Sequence, residues 1–122
     1  MPKESNSFSE YMNQIFKEKG FAQERVFLFA DIPEKYGCKL ISGEKWTKRR
    51  DVIIRICYAA KMSLAETQQA LTRYGMPELD AEARRDALIM SMFHNRPGGI
   101  IEANLFLKKN RMEPLRSCGL QE

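Results

Sequence analysis

Apolar residues recur along this chain at helical spacing almost everywhere. Phe8, Met12, Ile15 and Phe16 follow the i, i+4, i+7, i+8 pattern of one amphipathic face. Ser7-Phe8-Ser9-Glu10 has the form of a capping box at its start, and Gly20 suits its end. A second, short helix is predicted over 23–30, with "VFLFA" as a buried core. A third is predicted from Pro33, in its first turn, to Ser42, with Gly43 in the left-handed position beyond. A fourth starts at Arg50-Asp51 and turns Val52, Ile53, Ile56, Cys57 and Ala60 inward. Ser63-Leu64-Ala65-Glu66 is a further capping box. It opens a fifth helix, with Leu64 and Leu71 inward, closed by Gly75 and Pro77. A sixth is expected over 81–95, carrying Ala87, Leu88, Met92 and Phe93, and Arg96-Pro97-Gly98-Gly99 breaks it. A seventh, over 100–110, carries Ile101, Leu105 and Phe106. No β-hairpin signal is present, so the expectation is an all-α chain of about seven helices.

The second half repeats itself. "RRDVIIRICYAAKMSLAETQQALTRYGMPEL" from Arg49 aligns with "RRDALIMSMFHNRPGGIIEANLFLKKNRMEPL" from Arg84, with one inserted residue. Ile54 matches Ile89, Glu66 matches Glu102, Leu71 matches Leu107, Met76 matches Met112 and Leu79 matches Leu115. Two copies are too few for a solenoid, so the repeat predicts two stacked helical hairpins. Arg50-Asp51 and Arg85-Asp86 read as paired helix starts, with each Asp favouring the helix dipole and capping backbone N–H groups. The Met-rich "LIMSMF" reads as core, and His94 as a solvated helix end.

Composition narrows the function classes. The chain has 122 residues and a net charge of +4. All the excess positive charge lies in the first half: residues 1–62 hold 12 Lys and Arg against 8 Asp and Glu, and residues 63–122 hold 8 of each. That asymmetry suits a polyanionic partner for the first half. No stretch approaches the length of a membrane span, and the N-terminus lacks an apolar signal region, so a cytoplasmic protein is expected. Cys38, Cys57 and Cys118 are far apart, no CxxC pair exists, and His94 is the single histidine. Free thiols are expected, with no metal site and no cofactor. One histidine cannot anchor a nucleophile–base–orienter set, and Gly98-Gly99 lacks the pattern of a phosphate-cradling loop. No catalytic residue is assigned, and an enzyme is not expected.

Residues 22–51 carry the most information. A short helix, a tight connection near Asp31-Ile32, a second short helix, Ser42-Gly43, a basic loop and a long apolar helix follow one another. Gln23 at the start of the first helix, Val26 and Ala30 on its inner face, and "YGCKLISGEKWTKRRDVIIRICYAAKMS" resemble the phage-repressor-like helix-turn-helix proteins often called the XRE family. The tail "RRDALIM…EANLFLKKNRMEPL" is similar to the C-terminal extension of a subgroup of such regulators in Gram-positive bacteria. The resemblance implies a helix-turn-helix core over 1–79 and a C-terminal helical extension over 80–122, packed together as one compact domain. It also implies a bacterial, sequence-specific DNA-binding regulator.

In that reading the helix over 33–42 enters the major groove of double-stranded DNA. Lys35, Tyr36 and Lys39 on its outward face would contact bases. Gln23 at a helix N-terminus, with Lys45, Lys48 and Arg49 in the basic loop, would hold phosphates. Reading two half-sites calls for a homodimer, with the C-terminal helices as the surface for a second copy or a protein partner. Three positions depart from the family pattern. Asp31 stands near the family's turn glycine, Gly37 replaces an apolar residue of the recognition helix, and Glu34 brings negative charge. They support an alternative: an adaptor that uses a degenerate helix-turn-helix fold to bind another protein. The outward face of residues 34–42 separates the two, since a continuous positive face suits DNA and an exposed apolar patch suits a protein. Trp46 is expected to pack over the loop.

Overall fold

A computed structural model describes residues 2–117, with side chains from Phe8 onward. Seven helices follow in order: α1 (Pro2–Lys19), α2 (Gln23–Ala30), α3 (Glu34–Ser42), α4 (Arg50–Ala59), α5 (Leu64–Arg73), α6 (Arg84–Asn95) and α7 (Ile100–Lys109). No strand occurs among the described residues, and no described helix is long and apolar enough to cross a membrane. α1 begins at Pro2, so Ser7 lies within the helix rather than at its cap; the Ser7 side chain and Cys118 fall outside the described residues. Pro33 is the N-cap of α3, one residue before the expected place, and α6 starts at Arg84 rather than Ala81. The Ser63–Glu66 capping box opens α5 as expected.

Five helices end on one local motif. A residue in the left-handed conformation donates its N–H three residues back, and the next residue's N–H reaches back five. Gly20-Phe21, Asp31-Ile32, Lys61-Met62, Gly75-Met76 and Arg111-Met112 all do this. The second residue is apolar and at least half-buried each time, so each helix end is tied to the core. Asp31 (φ 59°), Lys61 (φ 59°) and Arg111 (φ 63°) adopt this conformation without being glycine. Asp31 therefore does the work of a turn glycine: its short polar side chain lowers the cost of the left-handed state.

α4 is the central element. Every residue from Val52 to Ala60 is buried, and α2, α5 and α7 pack around it. Arg55 is buried among them. Its Nε donates to the Ala30 carbonyl (2.9 Å) and its Nη1 to the Leu115 carbonyl (2.7 Å). The end of α2 and the C-terminal segment are thus tied to one side chain.

The internal repeat is visible in the contacts. Arg50 donates to the carbonyls of Pro77 and Glu78, and Arg85 to those of Glu113 and Pro114. Gln68 Oε1 accepts the Leu79 N–H, and Asn104 Oδ1 accepts the Leu115 N–H. Lys61 and Arg96 are both left-handed, one after each first helix. The two hairpins, α4–α5 and α6–α7, then exchange charges. Arg50 pairs with Asp86, and Arg85 makes a two-pronged pair with Asp51 (3.1 and 2.8 Å). This reciprocity is what a local twofold relation produces. The two aspartates were expected to cap their own helices. Neither N-cap carries a side-chain hydrogen bond; the carboxylates serve the opposite arginine and the N–H groups of Asp80 and Arg116.

Two predictions follow from this packing. Asp86→Ala strands Arg50 and the Asp80 N–H together, and should destabilise the fold by about 2–3 kcal/mol. A double-mutant cycle with Arg50→Ala in urea unfolding should recover most of that loss as coupling; additive losses would remove the clamp from the account. Burial pushes the Cys57 thiol from 9.0 up to about 12, against a side-chain hydrogen bond with Thr67 that lowers it. The neutral thiol is the form the fold prefers. Its contribution is complete below pH ~9 and declines by about 1.4 kcal/mol per pH unit as pH rises towards the folded value. Cys57→Ala should flatten the alkaline limb of a stability–pH curve. Tyr11 and Tyr58, also raised first by burial, leave a residual slope of the same sign.

Candidate nucleic-acid interface

α2 and α3 are short helices joined by Asp31, Ile32 and Pro33. Val26, Phe27 and Ala30 face inward from α2, and Gly37, Leu40 and Ile41 from α3. Gly37 is where the two helices touch. A Cβ added there would lie 2.6 Å from the Phe27 ring. Glycine in a helix interior costs up to about 1 kcal/mol, and here that cost admits the ring between the helices.

The opposite face of α3 is laid open by this packing. Lys35, Cys38, Lys39 and Ser42 share it at i, i+3, i+4 and i+7, with Glu34 at one end and Glu44 at the other. Lys35 is exposed and Lys39 half-buried, both on the expected side. Tyr36 is not on that side. It is half-buried against the core, one turn before Leu40, because the inward glycine at 37 fixes the helix rotation. The face is polar and mixed in sign rather than continuously positive. Burial raises the Cys38 thiol first, and the nearby Glu34 and Glu24 raise it further. Cys38 and Ser42 were missed by sequence reasoning, although they stand at helical spacing from Lys35.

The loop after α3 is held in place. The Trp46 ring stacks on Tyr74 (centroids 3.8 Å apart, planes 7° apart), as packing over the loop required. Phe8 meets the Tyr74 ring edge-on at 4.6 Å. The Thr47 N–H donates to the Tyr74 hydroxyl (2.9 Å), and the Thr47 hydroxyl accepts the Arg49 N–H (3.1 Å). The Lys45 N–H donates to the Lys39 carbonyl (3.0 Å). Lys45 and Lys48 are thereby displayed, exposed, from an anchored backbone beside α3. Arg49 is half-buried at the start of α4. Gln23 differs from expectation: its side-chain N–H donates to Asn13 Oδ1 of α1 (2.9 Å), so the amide is engaged within the protein.

Large apolar side chains do reach solvent, but on another face. Leu28 (74% exposed) and Phe29 (49%) were expected inside α2, and Ile101 (73%) and Leu105 (54%) inside α7. α2 turns Val26, Phe27 and Ala30 inward, and α7 buries Ile100, Ala103 and Leu107 instead. Leu28, Phe29 and Ile101 border one cleft between the two helices.

Comparison of the chain with protein-family models, curated proteins and solved structures finds no match.

Gly37→Ala should lower stability by about 1–2 kcal/mol. Overpacking at a closed contact costs about 1–3 kcal/mol, which outweighs the helix-propensity gain of up to about 1 kcal/mol. Adding Phe27→Leu should return part of the loss in thermal unfolding. Stabilisation by Gly37→Ala alone would refute the close contact.

Proposed function

We propose that the chain is a sequence-specific DNA-binding regulator whose α2–turn–α3 segment acts as a helix-turn-helix. The observation that carries this reading is the Gly37–Phe27 contact. It rotates α3 so that Lys35, Lys39 and Ser42 point outward together, next to the anchored loop that displays Lys45 and Lys48. A lysine on such a face donates to guanine acceptors in the major groove, and serine contacts either a base or a phosphate. Lys45, Lys48 and Arg49 supply phosphate contacts that set register and affinity without reading sequence. Tyr36 and Gln23 leave the contact set, Tyr36 to the core and Gln23 to Asn13. Glu34 and Glu44 bound the face and limit it to a short stretch of groove.

The adaptor reading is favoured by a different observation, the outward apolar side chains of Leu28, Phe29, Ile101 and Leu105. It places the binding surface on α2 and α7 and assigns no role to the lysines of α3.

Selection of duplexes from a random pool, followed by salt titration of the winner, separates the two. The DNA reading expects an enriched motif. Lys45→Ala and Lys48→Ala should each reduce the slope of log K against log salt by about 0.9. Lys39→Ala should cost about 1–3 kcal/mol and relax preference at one base. A pool that never enriches overturns the DNA reading.

A further inference from the structure

The two hairpins are built alike but covered differently. In the first, α1 lies along α5. The Tyr11 hydroxyl donates to the Glu66 carbonyl, Lys19 pairs with Glu66 (3.2 Å), Arg73 sits over the Tyr11 ring, and Phe8 meets Tyr74. The equivalent places on α7 are Glu102, Phe106 and Lys109. Ala70 is buried, whereas its counterpart Phe106 is half-buried, and Glu102 and Lys109 are exposed. Among the described residues, nothing does for α7 what α1 does for α5. Beside these positions stand Ile101 and Leu105, at i and i+4, with Leu28 and Phe29 of α2 across the cleft.

We propose that a second copy of this chain covers this face, through antiparallel packing of α7 on α7 about a twofold axis at Leu105. The charges of α7 select this occupant. Its only carboxylate, Glu102, lies in the first turn, and Lys108 and Lys109 close the last. Crossed antiparallel at Leu105, each Glu102 meets Lys108 of the other copy, and the two Leu105 side chains face each other. A parallel arrangement would oppose like charges at both ends. Ile101 of each copy then stands at the rim of the contact, towards the Leu28 and Phe29 side chains that flank α7. Of the five large apolar residues exposed among those described, Leu28, Phe29 and Ile101 border the one cleft, and Leu105 lies one helical turn beyond Ile101. The same patch thus meets itself, as a closed twofold interface requires.

The test uses the full chain without DNA, so its outcome is independent of whether the lysines of α3 bind a duplex. Sedimentation velocity over a concentration series should show a reversible dimer. Leu105→Glu should be monomeric with an unchanged circular dichroism spectrum. Glu102→Lys should weaken the dimer, and Glu102→Lys with Lys108→Glu should restore it. As a measurement that tolerates no loss of folding, Leu105→Cys should form a covalent dimer on mild oxidation well beyond the level given by the native cysteines. A wild-type chain that stays monomeric overturns the proposal, as does a dimer that survives Leu105→Glu, or a folded Leu105→Cys that never cross-links above background. A monomer captured by some other protein counts with the first of these.

Discussion

A guanidinium taken out of water has to be met by carbonyls, and Arg55 decides which carbonyls can be brought together. Its Nε and Nη1 hold the Ala30 and Leu115 carbonyls, and Nη2 lies 3.6 Å from the Asp31 carboxylate at the surface. Ala30 closes α2, where the last carbonyls lack helical partners and the dipole is negative. A cation at that point satisfies both needs at once. It also fixes the end of α2, and with it the left-handed turn at Asp31 from which α3 departs. The same side chain holds the C-terminal segment. The segment proposed to read DNA and the tail therefore share one buried charge on α4, and removing either partner would leave that charge poorly matched.

Around this centre the second half is organised as two equivalent hairpins. In their reciprocal Arg–Asp pairs each arginine also donates to the two carbonyls that end its own repeat. Those carbonyls sit after Met76 and Met112, so the clamp closes both repeats as well as joining them. The inserted residue in the second copy falls in the connection before α7, where Gly98 and Gly99 lead into a capping box closed by Glu102. Arg96 spans this connection, donating to the Tyr58 and Met62 carbonyls of the first hairpin while lying over the Tyr58 ring. The equivalence of the hairpins is thus kept in the backbone and broken at the surface. α5 has α1 over it, and the matching face of α7 is left open among the described residues.

The proposed functional segment depends on an absence of side chain. At position 37 any larger residue would hold α3 away from α2 or turn it about its axis. The face holding Lys35 and Lys39 would then shift relative to the loop holding Lys45 and Lys48. That loop is fixed from the other side by the aromatic stack on Tyr74, whose hydroxyl also accepts the Thr47 N–H. The polar face and the basic loop are therefore positioned by the uncharged Gly37, Phe27 and Tyr74 together with the buried charge of Arg55.

Local chemistry determined much of this protein by itself. Helical periodicity, the Ser63–Glu66 box and the glycines at 20, 43 and 75 state where most helices run and stop, because those signals act within a turn of the chain. The repeat was legible for the same reason, as a pattern of identical residues. What the sequence could not state was which side of a short helix would find a neighbour. Leu28, Phe29, Ile101 and Leu105 satisfy an apolar spacing as well as their buried neighbours do, and only the packing of α2 and α7 on α4 chose between the faces. Tyr36 followed from the rotation that Gly37 permits. Gln23 followed from the approach of Asn13 on α1. Arg55, unremarkable among twenty basic residues, became the buried charge because the tertiary structure brought two distant carbonyls to it, at separations of 25 and 60 residues. Contacts across such distances leave no local signal, and they are what places the lysines proposed to meet DNA.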